Sequence, residues 1–64
     1  MLTPKEKEVL RLKKKGLRQL QIAAQLNISQ PAVSNFYRNA MRKVREAKKV
    51  LEFAKEIDLE VDDE

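Results

Sequence analysis

Cysteine and histidine are both absent from the 64 residues. The first absence removes disulfides and thiolate metal sites, and the second removes the commonest general base and metal ligand. Glycine occurs once, at Gly16, and proline twice, at Pro4 and Pro31, so no glycine-rich phosphate loop can form. Aromatic residues are limited to Phe36, Tyr37 and Phe53. No apolar run approaches the ~20 residues of a membrane span, and none at the N-terminus has signal-peptide length. We therefore expect no membrane partner and take the cytoplasm as the default location. A chain of this size is one folded unit at most and buries only ~60% of its unfolded surface. Extra stability must come from well-formed helices or from a second chain.

What the sequence does contain is Lys, Glu, Leu, Ala and Arg in a mix that suits helix and disfavours strand. The net charge of +4 is unevenly distributed. Residues 1–49 carry 13 Lys or Arg against Glu6, Glu8 and Glu46, a balance of +10, while residues 50–64 carry Lys55 against seven acids, a balance of −6. A basic body with an acidic end suits a polyanion-binding surface beside a segment that stays off the polyanion.

Thr3-Pro4-Lys5-Glu6 reads as a helix start: a capping threonine, proline at the first helical position, and glutamate placed to close a capping box. A first helix is expected over about residues 4–15, with Val9, Leu10 and Leu12 inward and Gly16 as its left-handed terminator. A second helix fits residues 19–26, with Ile22, Ala23 and Leu26 on one face. Arg18 is a poor N-cap, and Asn27 can take the left-handed turn. Ser29 caps a third helix, with Pro31 in its first turn and Ile28 and Val33 stapled across the cap. Beyond Pro31 no glycine or proline interrupts the chain. Val33, Tyr37, Ala40, Val44, Ala47, Leu51 and Ala54 then alternate at spacings of four and three. One helix over residues 30–57 would span ~42 Å; a break near residues 45–47, giving a fourth helix, is the alternative. The expected fold is all-α, a tri- or tetra-helical helix-turn-helix bundle with a long C-terminal helix. Its organisation would be residues 1–45 as the binding domain, 46–57 as a helical extension, and 58–64 as a frayed acidic tail.

Two short helices joined through Leu26-Asn27-Ile28-Ser29 have the layout of a DNA-binding helix-turn-helix, in which the second helix enters the major groove. The resemblance becomes specific over Leu2-Thr3-Pro4-Lys5-Glu6-Lys7-Glu8-Val9-Leu10-Arg11-Leu12, Gly16-Leu17, Ile22-Ala23-Ala24, Leu26, Ile28-Ser29, Val33-Ser34 and Arg42-Lys43-Val44. These residues resemble the LuxR/GerE-type domain within the winged-helix-like superfamily, and also sigma factor region four. The string is similar as well to archaeal Tfx-type regulators, as far as Leu51-Glu52-Phe53. The resemblance implies a transcription regulator that binds duplex DNA. The family often has Ser or Thr at position 18 and an acid at 20 or 21, where this chain has Arg18, Leu20 and Gln21.

On the third helix, Gln30, Ser34, Asn35 and Arg38 are the expected base readers, because amide, guanidinium and hydroxyl groups match base edges in the major groove. Lys14, Lys15 and Arg18, with Arg42, Lys43 and Arg45, are the expected phosphate contacts. Val50, Leu51, Phe53, Ala54 and Ile57 form a broad apolar face that either folds back on helix one or makes a homodimer seam; we expect the seam. Phe36 and Tyr37 are adjacent and cannot both face the core fully; Phe36 is the freer and is expected to pack on the helix-one side. No catalytic group, metal site, cofactor or small-molecule ligand is indicated. Two other readings stay open: a protein-interaction module that docks on transcription machinery, and a structural helical oligomer.

Overall fold

A computed structural model describes residues 1–60 and folds them into three helices, α1 (Pro4–Lys14), α2 (Gln19–Leu26) and α3 (Gln30–Glu56). The start of α1 forms the full capping box: Glu6 N–H donates to Thr3 Oγ1 at 3.2 Å and Thr3 N–H donates to Glu6 Oε1 at 2.8 Å. At α3, Ala32 N–H donates to Ser29 Oγ at 3.2 Å. Arg18 caps α2 poorly, as its side chain has no acceptor; only half a box forms, with Arg18 N–H donating to Gln21 Oε1 at 2.8 Å.

All three helices end the same way. The residue after the last turn takes positive φ, 94° at Gly16, 56° at Asn27 and 58° at Asp58. Each end is closed by two backbone bonds, the longer-reaching ones being Leu17 N–H to Leu12 O (3.1 Å), Ile28 N–H to Ala23 O (3.0 Å) and Leu59 N–H to Ala54 O (2.8 Å). These are Schellman motifs, which also bring the apolar residue after the turn back onto the helix. Leu17 and Ile28 are thereby drawn against the core.

The core consists of Val9, Leu12, Ile22, Ala23 and Val33, ringed by Leu17, Leu26, Ile28, Phe36 and Tyr37. Phe36 and Tyr37 are both half-buried against it. Ala40 is fully buried as well. Every residue of the core cluster that α3 contributes comes from its first two turns, so the cluster anchors only the start of that helix.

Glu6 is only 4% exposed. Besides the capping box, its Oε1 accepts from Lys43 Nζ at 2.9 Å, and the same ammonium donates to Met1 O at 3.1 Å. This latch joins the first turn of α1 to the middle of α3. The ammonium expected to contact phosphate is thus engaged here by a shielded carboxylate and a backbone carbonyl.

From residue 44 onward α3 runs unbroken to Glu56. The alternative break near residues 45–47 does not occur, and the boundary expected at 45/46 falls inside a helix. Nor does this part fold back on α1: Val50, Leu51, Phe53 and Ile57 are 65%, 50%, 59% and 53% exposed. The long dimension of 44 Å reflects α3 as a whole, whose 27 residues at 1.5 Å each span ~40 Å. The acidic tail expected over 58–64 lies partly outside the described residues.

Two outcomes follow for stability. The hydrogen bond from Lys43, then that from the Thr3 backbone, lowers the Glu6 pKa below the usual carboxylate value. A group depressed in the folded state adds stability above its unfolded pKa, about 4.3, and loses it as pH falls through the folded value. Thermal melts of the wild type should therefore decline on acidification below about pH 4.3 more steeply than those of Glu6→Gln; parallel curves would show that the latch does not form. Gly16→Ala, at a φ of 94° with open space around the added carbon, should lower stability by about 1 kcal/mol through backbone strain alone, measured by urea denaturation.

Candidate nucleic-acid interface

Helix α3 has a second periodic row besides the apolar one. Pro31, Asn35, Arg38, Arg42, Arg45 and Lys49 follow one another at spacings of four, three, four, three and four, offset by two residues from Val33, Tyr37 and Ala40. Two residues correspond to more than half a turn, so this row lies opposite the core. All six members are exposed. The first turns of α3 thus present Asn35 and Arg38 outward, and neither the body nor the described part of the C-terminal end covers them.

Asn35 and Arg38 are one helical turn apart and already paired, with Arg38 Nη1 donating to Asn35 Oδ1 at 3.0 Å. The bond holds both side chains out from the helix and leaves the asparagine amide nitrogen and the rest of the guanidinium free to donate. Gln30 is exposed at the helix start. Ser34 differs. It is half-buried, and its hydroxyl accepts from Gln19 Nε2 at 2.7 Å; its proton and a second lone pair remain.

Gln19, at the first position of α2, also donates from Nε2 to Gln30 O at 2.7 Å. One side-chain amide therefore bridges the start of the second helix to the start of the third, fixing the angle at which α3 is presented. Sequence reading missed this residue, since an isolated glutamine at a helix start carries no periodic or capping signal.

Beside the polar row lies an open groove of about 450 Å³, with Tyr37 and Met41 among its lining and Lys13, Arg38 and Arg45 contributing its cations. The Lys13 ammonium sits 5.5 Å from the centre of the Tyr37 ring, a cation–π placement that brings the end of α1 toward α3. Lys14, Lys15 and Arg18 are exposed around the end of α1. Arg42 pairs with Glu46 at 3.3 Å, both more than half exposed, a contact too solvated to neutralise the guanidinium. Leu20 is 63% exposed on α2. Among the described residues no group of His, Cys, Asp or Glu has metal-holding geometry, and no helix is long and apolar enough to cross a membrane.

Compared with known proteins, the family model GerE, described as bacterial regulatory proteins of the luxR family, matches residues 1–51. That span takes in all of α1 and α2 and most of α3. No curated protein matches, and no solved structure does.

The Gln19 bridge is open to a direct test. Gln19→Ala should cost about 1 kcal/mol, and a double-mutant cycle with Ser34→Ala should give a non-zero coupling energy. Strictly additive effects would show that the two side chains do not meet in solution.

Proposed function

The chain belongs to the luxR family of bacterial regulatory proteins, whose helix-turn-helix domains are in general DNA-binding transcription regulators; from this premise we propose that it regulates transcription by sequence-specific occupancy of duplex DNA. The first turns of α3 enter the major groove. Asn35 and Arg38 read base edges there, an amide suiting adenine and a guanidinium suiting guanine. Gln30 reads at the helix start, and Ser34 contributes through the remaining donor and acceptor capacity of its hydroxyl. Arg42 and Arg45, farther along the same row, neutralise phosphates on one side, while Lys14, Lys15 and Arg18 do so at the end of α1. Lys13, which borders the groove, joins them. No reaction is catalysed. The protein acts in the cytoplasm as a homodimer joined through Val50, Leu51, Phe53, Ala54 and Ile57.

The observation that carries this reading is the exposed row opposite the core, which opens with Pro31 and the hydrogen-bonding amide of Asn35 and continues with four cations. A merely soluble helix has no need to keep its cations in register with an amide, nor to hold that register for six positions. The order also matches what a helix entering a groove requires: base-reading groups at the tip, phosphate-binding groups where the helix leaves between the two backbones.

The test is a selection of bound duplexes followed by gel shifts over a range of salt. Arg38→Ala and Asn35→Ala should each cost ~1–3 kcal/mol on the selected site and relax preference at one base pair. Arg42→Ala and Arg45→Ala should weaken binding to all sequences and flatten the salt slope by about one each. Lys43→Ala should leave that slope unchanged while lowering the melting temperature. Binding that is indifferent to salt would sink the proposal, because duplex binding must weaken as released counterions become costlier to displace.

A further inference from the structure

Asn35 and Arg38 are neighbours on the exposed row of α3, joined by a hydrogen bond from Arg38 Nη1 to Asn35 Oδ1 at 3.0 Å. Among the described residues the ion pairs engage Lys5, Arg42 and Lys43, and Arg38 is in none of them. Its guanidinium is therefore steered by a neutral oxygen and keeps its charge for a ligand.

The bond leaves most of both groups free. A guanidinium has five N–H donors and an amide oxygen two lone pairs, of which the bond takes one each. Nη1 lies on the Cδ side of the guanidinium, so the opposite fork of Nε and Nη2 is untouched. A fork of that kind matches O6 and N7 of guanine. Asn35 keeps both amide hydrogens and one lone pair, enough for N7 and the N6 amino group of adenine. The bond thus draws only on capacity that base reading does not need, and it can persist on DNA.

Geometry then sets the spacing. Residues three apart are separated by about 4.5 Å along a helix, and stacked base pairs by about 3.4 Å. Skipping a base pair would require about 6.8 Å, which would pull apart two tips held 3.0 Å from each other. The two side chains are also ordered before they meet a ligand. Immobilising one flexible side chain at an interface costs about two- to tenfold in affinity, and here each holds the other in advance.

We propose that Asn35 and Arg38 read as one preassembled unit, recognising an A·T pair and the G·C pair immediately beside it. This rests on the DNA-binding reading above, and adds which two base pairs must be neighbours and why.

Wild type, Asn35→Ala, Arg38→Ala and the double variant are compared by fluorescence anisotropy on the selected duplex at one salt concentration. Both residues are exposed, and circular dichroism checks folding. Each single variant loses its own base contacts and also leaves its neighbour unordered, so part of each loss vanishes when both are removed. The double variant should therefore bind about two- to tenfold more tightly than the product of the single losses predicts. Gln30→Ala with Arg38→Ala is the control, since these two share no hydrogen bond among the described residues, and its losses should multiply. Selected sites should specify an A·T pair directly beside a G·C pair, each relaxed by one of the single variants. Losses for Asn35 with Arg38 that simply multiply, or a shortfall no greater than the control's, would overturn the proposal. So would relaxed positions separated by one or more base pairs. In those cases salt-dependent binding to the selected duplex leaves the DNA-binding reading standing, whereas binding indifferent to salt removes both.

Discussion

The continuity of the α3 backbone ladder is the constraint on which the molecule turns. Twenty-seven residues without glycine, and with proline only in the first turn, keep one helical phase from Gln30 to Glu56. Side chains set far apart in sequence therefore hold a fixed angular relation. The row led by Asn35 and Arg38 points away from the core because Val33, Tyr37 and Ala40 point into it, and the exposed apolar face beyond residue 44 has its direction set by the same phase. A single bulge or kink would rotate everything after it and break the fixed angle between the Asn35–Arg38 face and the far half of the helix.

A rod of that length needs a secure grip, and the core that supplies it is small. Among the described residues only Val9, Ile22 and Val33 are large side chains almost wholly removed from water, each stabilising by about 1.5–3 kcal/mol on burial. Polar contacts extend the grip in both directions. Toward the tip, Gln19 ties α2 to Gln30 and Ser34; toward the projecting half, Glu6 and Lys43 join α1 to α3. The latch falls just before the point where the helix leaves the body. A charge pair suits that position better than another leucine would, because its geometry is directional and its partners are already fixed by the capping box.

Much of this was legible from the residues. Thr3, Pro4 and Glu6, then Ser29 and Pro31, mark helix starts by chemistry that acts within four residues, and Gly16 and Asn27 mark stops in the same way. The apolar row predicts the inward face because helical periodicity is local too. What local reading missed depends on distance along the chain. Glu6 and Lys43 are separated by 37 positions, and in sequence each looks like an ordinary surface charge, which is why Lys43 was grouped with the phosphate contacts. Gln19 and Ser34 are 15 apart and carry no periodic signal. Lys13 meets Tyr37 only after α1 and α3 have packed. The break near residues 45–47 follows from expecting a short chain to cover its apolar residues itself, and the continuous α3 leaves Val50, Leu51, Phe53 and Ile57 exposed instead.

Lys43 and its neighbours on either side show how context assigns roles to identical charges. Arg42, Lys43 and Arg45 lie within four residues, yet helical phase separates them by large angles. Arg42 and Arg45 fall on the outward row. Lys43 is turned toward α1, where its ammonium finds a carboxylate shielded from water and a backbone carbonyl. A cation so engaged cannot reach a phosphate without giving up its bonds to the Glu6 carboxylate and the Met1 carbonyl. Charge counts therefore overstate the polyanion-binding surface of a small basic domain; the helical phase of each cation decides whether its charge holds the fold or meets a ligand.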